Sequence, residues 1–117
     1  MVAFMLPTPM PEVRVYETEH GTRPFDDWFG RLEARAAARV SKTLLKIEAG
    51  LLPHVEPVGS GVHEAKIDYG PGYRVYFGVD GRALVILVGG GDKRTQPKDI
   101  GEAKQRWADY KARKNKR

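Results

Sequence analysis

Residues 61–88, "GVHEAKIDYGPGYRVYFGVDGRALVILV", decide the fold. Apolar and polar residues alternate with a period of two, so Val62 to Asp68 reads as a strand. The segment "DYGPGY" (68–73) turns the chain, and Tyr73 to Val79 is the next strand. Asp80-Gly81 is a two-residue hairpin signal ahead of Ala83 to Val88. Two hairpins in series predict a three-strand antiparallel meander. The last strand is apolar throughout, which places it centrally or covers it on both faces. Alternation assigns Ala65, Ile67, Val75, Phe77 and Val79 to one face. Glu64, Lys66, Asp68, Arg74 and Tyr76 fall on the other.

Upstream, Val13 to Glu17 is a short strand. Pro24 followed by Asp26 and Asp27 is a helix start, and Phe25, Trp28, Phe29 and Leu32 form one apolar stripe. Gly30 weakens or breaks this helix. Leu32, Ala36, Val40, Leu44, Ile47 and Leu51 continue a helical face until Gly50 and Pro53 stop it. A helical hairpin or one kinked helix therefore fills residues 24–50, with its aromatics in the core. "LLPHVEPVGSG" (51–61) reads as a loop.

Downstream, "VGGGDKRTQPKDI" (88–100) leaves the last strand through three glycines, presents a cluster of donors, and enters a helix at Pro97. Glycine lets backbone approach a phosphate, and Lys93, Arg94 and the N–H groups of a new helix favour an anion. A plain glycine turn is the alternative, since no nucleotide-binding glycine spacing is present. Ile100, Ala103, Trp107 and Tyr110 make a stripe on the final helix that docks on the domain or on a partner. "KARKNKR" (111–117) reads as a frayed basic tail.

The chain has 117 residues, 41% apolar and 30% charged, the size and composition of a single globular domain. It contains no cysteine, which excludes disulfides and thiolate chemistry. No apolar run approaches the roughly 20 residues of a membrane span. Met1 to Pro11 lacks the basic start of a signal peptide, so a cytoplasmic location is expected. Residues 1–58 hold seven Lys and Arg against eight Asp and Glu, whereas residues 59–117 hold thirteen against seven. The net charge of +5 thus belongs to the second half, as in a polyanion binder or a solubilising face with a basic tail. The polar sheet face is open in the same way. It is a solvated surface with cross-strand ion pairs of about 0.2–1 kcal/mol each, or it is a site.

"GVHEAKIDYGPGYRVYF" followed by "VILVGGGDKRTQPKDIGEAK" resembles the signature of HigB-type addiction-module toxins in the RelE/ParE superfamily. The likeness runs from Gly61 to about Trp107, and "PFDDWFGRLEARAAARV" fits the same family's helical hairpin. Met1 to Pro11 lies outside it as a leader, with the toxin domain over 12–110 and the basic tail over 111–117. The resemblance implies an α+β fold of order β-α-α-β-β-β, a largely antiparallel sheet with a helical hairpin on one face, and a C-terminal helix. It also implies a helix-turn-helix antitoxin as partner in a hetero-oligomer, and cleavage of mRNA on the ribosome.

Such cleavage is attack of an RNA 2′-hydroxyl on the adjacent phosphate. It needs a base, cations for the developing charge, and an acid for the leaving oxygen, but neither metal nor cofactor. On that reading Arg74 binds the phosphate bidentately and Lys93 adds charge. Tyr76 stacks on a base or donates a proton. Lys66 or Glu64 is the base, or Glu64 only orients the cations. An ammonium must shed its proton to act so, which the like charges of Arg74 and Lys93 favour at Lys66. Arg94, Gln96 and Lys98 are the further RNA contacts. The family more often has arginine at the position of Lys66. His63 falls on the inward side and His20 and His54 in loops, all three read as structural; His63 on the active face would displace Lys66 as base. Two other activities share the fold: gyrase inhibition, as in ParE-like members, and a catalytically inactive antitoxin- or RNA-binding module.

Overall fold

The computed structural model describes residues 4–5, 11–52 and 54–116. In chain order they form β1 (Phe4–Met5), β2 (Glu12–Val15), α1 (Pro24–Gly30), α2 (Ala34–Glu48), β3 (Leu51–Leu52), β4 (Val55–Gly59), β5 (Val62–Ile67), β6 (Tyr73–Asp80), β7 (Leu84–Asp92) and α3 (Gln96–Asn115). A single 3-10 turn, Lys93–Thr95, joins β7 to α3. Five strands make one mixed sheet in the order β2-β7-β6-β5-β4, and β1 pairs separately with β3. Among the described strands only β2 runs parallel to its neighbour, Val13 opposite Val85 and Val15 opposite Leu87. The β5-β6-β7 meander is antiparallel as its alternation requires.

Helix α1 opens on Pro24 with Asp26 and Asp27 in its first turn, the arrangement that suits both the orphan N–H groups and the dipole. After Gly30, Glu33 caps α2 by accepting from the Ala36 and Arg35 amides at 2.8 and 3.2 Å. Two helices therefore form the hairpin. Phe25, Val40 and Ile47 bury against Ala65, Ile67, Val75, Phe77, Val85 and Leu87. His63 lies on this side, stacked on Phe77 with ring centroids 5.4 Å apart.

The opposite face is covered over most of its length, with Lys66 and Asp68 left exposed at one end. Helix α3 crosses it, and Ala103 and Trp107 pack with Val62, Tyr76, Ile86 and Val88, with Ile100 and Tyr110 alongside. The sheet is thus the middle of three layers, and β7, with Val85 to Val88 all buried, is covered on both faces. The expected exposure of Glu64, Arg74 and Tyr76 is corrected here. The face was assigned properly, but the stripe of α3 turns back onto it and leaves them 1%, 8% and 0% exposed.

Three local expectations also change. The loop expected over 51–61 contains β3 and β4, and β4 is an edge strand in which Pro57 is tolerated because the sheet continues on one side only. The glycines 89–91 are strand, not a turn: β7 runs on to Asp92. A Cβ at Gly90 would lie 2.2 Å from the Trp28 ring, at Gly91 1.9 Å from Asp99 Oδ2, and at Gly89 2.8 Å from Arg106 Nη1. The glycines are notches for α1 on one face and α3 on the other. Immediately before them on β7, Val88 is the extra residue of a bulge, between the pairs Tyr76–Gly89 and Phe77–Leu87.

The basic tail is helical through Asn115 rather than frayed, because its side chains have partners. Lys114 pairs with Asp80, Arg113 lies 2.9 Å from Asp109, and Tyr110 donates to Asp80 at 2.7 Å. Arg117 lies outside the described residues, as does most of the expected leader; its Phe4–Met5 pair with β3. Among the described residues no helix is long and apolar enough to cross a membrane.

Candidate nucleic-acid interface

The end of the meander nearest the start of α3 gathers the cations. Strand pairing sets Lys66 opposite Arg74 and Glu64 opposite Tyr76. The turn between β5 and β6 holds Gly70 and Gly72 at φ of +56° and +81°, the left-handed region that disfavours other residues. This conformation lets the Gly72 carbonyl accept from Arg74 Nη1 at 2.6 Å. Gly72 is also close-packed: a Cβ there would meet Arg74 Nη1 at 3.0 Å and Lys93 Cβ at 3.6 Å. Lys93 enters from the 3-10 turn. Its backbone position is fixed by Asp92, whose carboxylate accepts from the Arg94 amide at 2.8 Å.

Lys66, Arg74 and Lys93 line one open groove of about 470 Å³, together with His54, Asp68 and the 70–72 turn. An adjoining cleft of about 150 Å³ shares His54, Lys66 and Asp68 and is walled by Arg39, Lys42, Thr43 and Lys46 of α2. Cations therefore continue from the groove onto the helical layer, a surface suited to phosphates.

Beneath the groove lies a buried polar cluster. Glu64 accepts from Gln96 Nε2 at 2.8 Å and stands 3.6 Å from Arg74 Nε. Burial, then the neighbouring Glu64 carboxylate, pushes the Tyr76 hydroxyl well above its ordinary range and keeps it protonated. Among the described residues neither Arg74 Nε nor the Tyr76 hydroxyl completes a well-formed hydrogen bond. Arg74 is consequently held by one carbonyl and one carboxylate, with donor capacity to spare at the groove wall.

The expected site residues thus divide into three groups. Lys66, Arg74 and Lys93 come together; Lys66 is exposed and pairs with Glu56 at 3.4 Å. Glu64 and Tyr76 are adjacent to them but closed to a nucleobase by α3. Gln96 is occupied by Glu64, Arg94 is held by Asp92 at 2.9 Å, and Lys98 borders a separate polar cleft with Asp99 and Glu102. His54, read as a loop residue, was the omission. Its place beside Lys66 follows from the unexpected strand β4, to which no periodicity pointed. Among the described residues no three His, Asp or Glu side chains are grouped as metal ligands.

No family model matches the chain. Over 84 residues it is 42% identical to a protein of Haemophilus influenzae described as uncharacterized, a match spanning 71% of this chain and 85% of that one. With that identity across most of both lengths, the chain and the Haemophilus influenzae protein belong to one family.

Proposed function

We propose that this chain is the toxin of a type II toxin–antitoxin pair, HigB-like within the RelE/ParE superfamily, and that it cleaves mRNA on the ribosome in the cytoplasm. The observation that carries this reading is the groove in which Lys66, Arg74 and Lys93 converge over a buried carboxylate. In the reaction the 2′-oxygen forms a bond to phosphorus as the bond to the 5′-oxygen breaks, giving a 2′,3′-cyclic phosphate and a 5′-hydroxyl. The 2′-proton passes to a base and the 5′-oxygen takes a proton from an acid.

Arg74 and Lys93 neutralise the phosphoryl oxygens as charge accumulates there. Lys66 and His54, which line the groove together with Asp68, are the candidates for proton transfer. Glu64 orients Arg74, and Tyr76 sustains that contact from within. An acidic segment of a helix-turn-helix antitoxin complements the same basic surface.

Primer extension on a defined mRNA, with and without ribosomes, tests the proposal. The expected result is new 5′ ends that require ribosomes and are lost with Arg74→Lys. Intact mRNA with folded wild-type protein overturns it. The burial of Tyr76 and Glu64 favours one second reading, a binding module without catalysis, recognised by RNA binding in a fluorescence titration with no cleavage product in primer extension. Inhibition of gyrase supercoiling would identify a ParE-like activity.

A further inference from the structure

Gln96 opens α3 directly after the turn that carries Lys93, so the contact that seats Gln96 also seats Lys93. Its Nε2 donates to Glu64 Oε2 at 2.8 Å, and the same oxygen faces Arg74 Nε at 3.6 Å. Glu64 is only 1% exposed, so donors from the protein, rather than water, set the direction of its carboxylate. Among the described residues Gln96 of the helical layer is the one that completes a hydrogen bond to it, while Arg74 Nε and the Tyr76 hydroxyl on the neighbouring strand face it without completing one. Strand pairing alone sets the positions of Arg74 and Tyr76. Gln96 is what relates the carboxylate, and through it the guanidinium, to the position of Lys93.

We propose that Gln96 is a positioning residue that holds Glu64 so that Arg74 and Lys93 converge on one phosphate, and that it does not itself touch RNA. The catalytic part of this inference rests on the groove being the phosphate site of the proposed nuclease; the structural part does not. Gln96→Ala removes the donor, and Gln96→Glu keeps the side-chain shape while setting a carboxylate against Glu64.

Two measurements decide it. Hydrogen exchange of the Arg74 Nε–H, followed by NMR and assigned by its loss in Arg74→Lys, needs no activity. Both Gln96 variants are expected to speed it by about tenfold or more while β5 and β6 amides keep their protection. Unchanged Arg74 exchange in both variants overturns the proposal. In the ribosomal cleavage reaction kcat falls by about 10- to 100-fold, with KM within about twofold, as for a misplaced catalytic group. Once Glu64→Gln is present, Gln96→Ala has no further effect. A raised KM with unaltered kcat makes Gln96 an RNA contact and overturns positioning. Wild-type protein that cuts no RNA retires the nuclease reading, and the exchange measurement then judges the positioning contact by itself.

Discussion

Replacing Arg74 separates two consequences that coincide at one side chain. Arg74→Lys keeps a cation beside Glu64 but loses the planar fork, so RNA cleavage is expected to fall by about 100-fold with the fold retained. Arg74→Ala also strands the buried Glu64 charge, and denaturant unfolding should show a loss of about 3 kcal/mol or more. Because Arg74 is buried, alanine confounds activity with stability, whereas lysine tests activity. His63 gives a different residue-scale signature. Desolvation beside Phe77 lowers its proton affinity in the folded state. The unfolded chain therefore binds more protons below about pH 6.5, so the contribution is complete above that pH and lost as pH falls through the lower folded value. The denaturation midpoint should drop between pH 7.5 and 5.5, and His63→Phe should flatten that dependence.

At the scale of elements, the helices sit where glycines admit them. Gly90→Ala drives a methyl into Trp28 and Gly78→Ala drives one into Trp107, whose nearest ring atom would be 2.4 Å away. Each is expected to cost about 1–3 kcal/mol in thermal or denaturant unfolding. Gly101 in α3 has open space around it, and Gly101→Ala should stabilise by about 0.5–1 kcal/mol. The difference explains what could be read in advance. The meander was legible because alternation and turn residues agree from Val62 to Val88, and the helical hairpin because Phe25 to Ile47 keeps a helical period. Gly89 to Gly91 concealed the end of β7, since a notch for a neighbouring side chain and a flexible turn use the same residue. Pro57 concealed β4, whose edge position only the assembled sheet reveals. Lys66 and Arg74 were legible as neighbours from strand parity and Lys93 from its donor-rich loop, but not the helix above Glu64 and Tyr76, because the α3 stripe fits a partner's surface as well as its own sheet.

At the scale of the molecule, positive charge from the second half of the chain meets Arg39, Lys42 and Lys46 of α2 around two adjoining clefts. Three groove cations on single-stranded RNA predict that log binding constant falls against log salt with a slope of about −2. Fluorescence titration of a short RNA at several salt concentrations measures it. Lys93→Ala should make the slope shallower by about 0.7, and Lys98→Ala, which borders another cleft, should leave it unchanged. The glycine notches carry a consequence for variation over generations. Each missing methyl on β7 is matched to one side chain elsewhere: Gly90 to Trp28, Gly91 to Asp99, Gly89 to Arg106. Volume gained at a glycine can be given back only at its own match, so a second-site suppressor of Gly90→Ala should arise at Trp28 and not at Asp99 or Arg106. Three consecutive positions, chemically identical, thus answer to three different and distant sites.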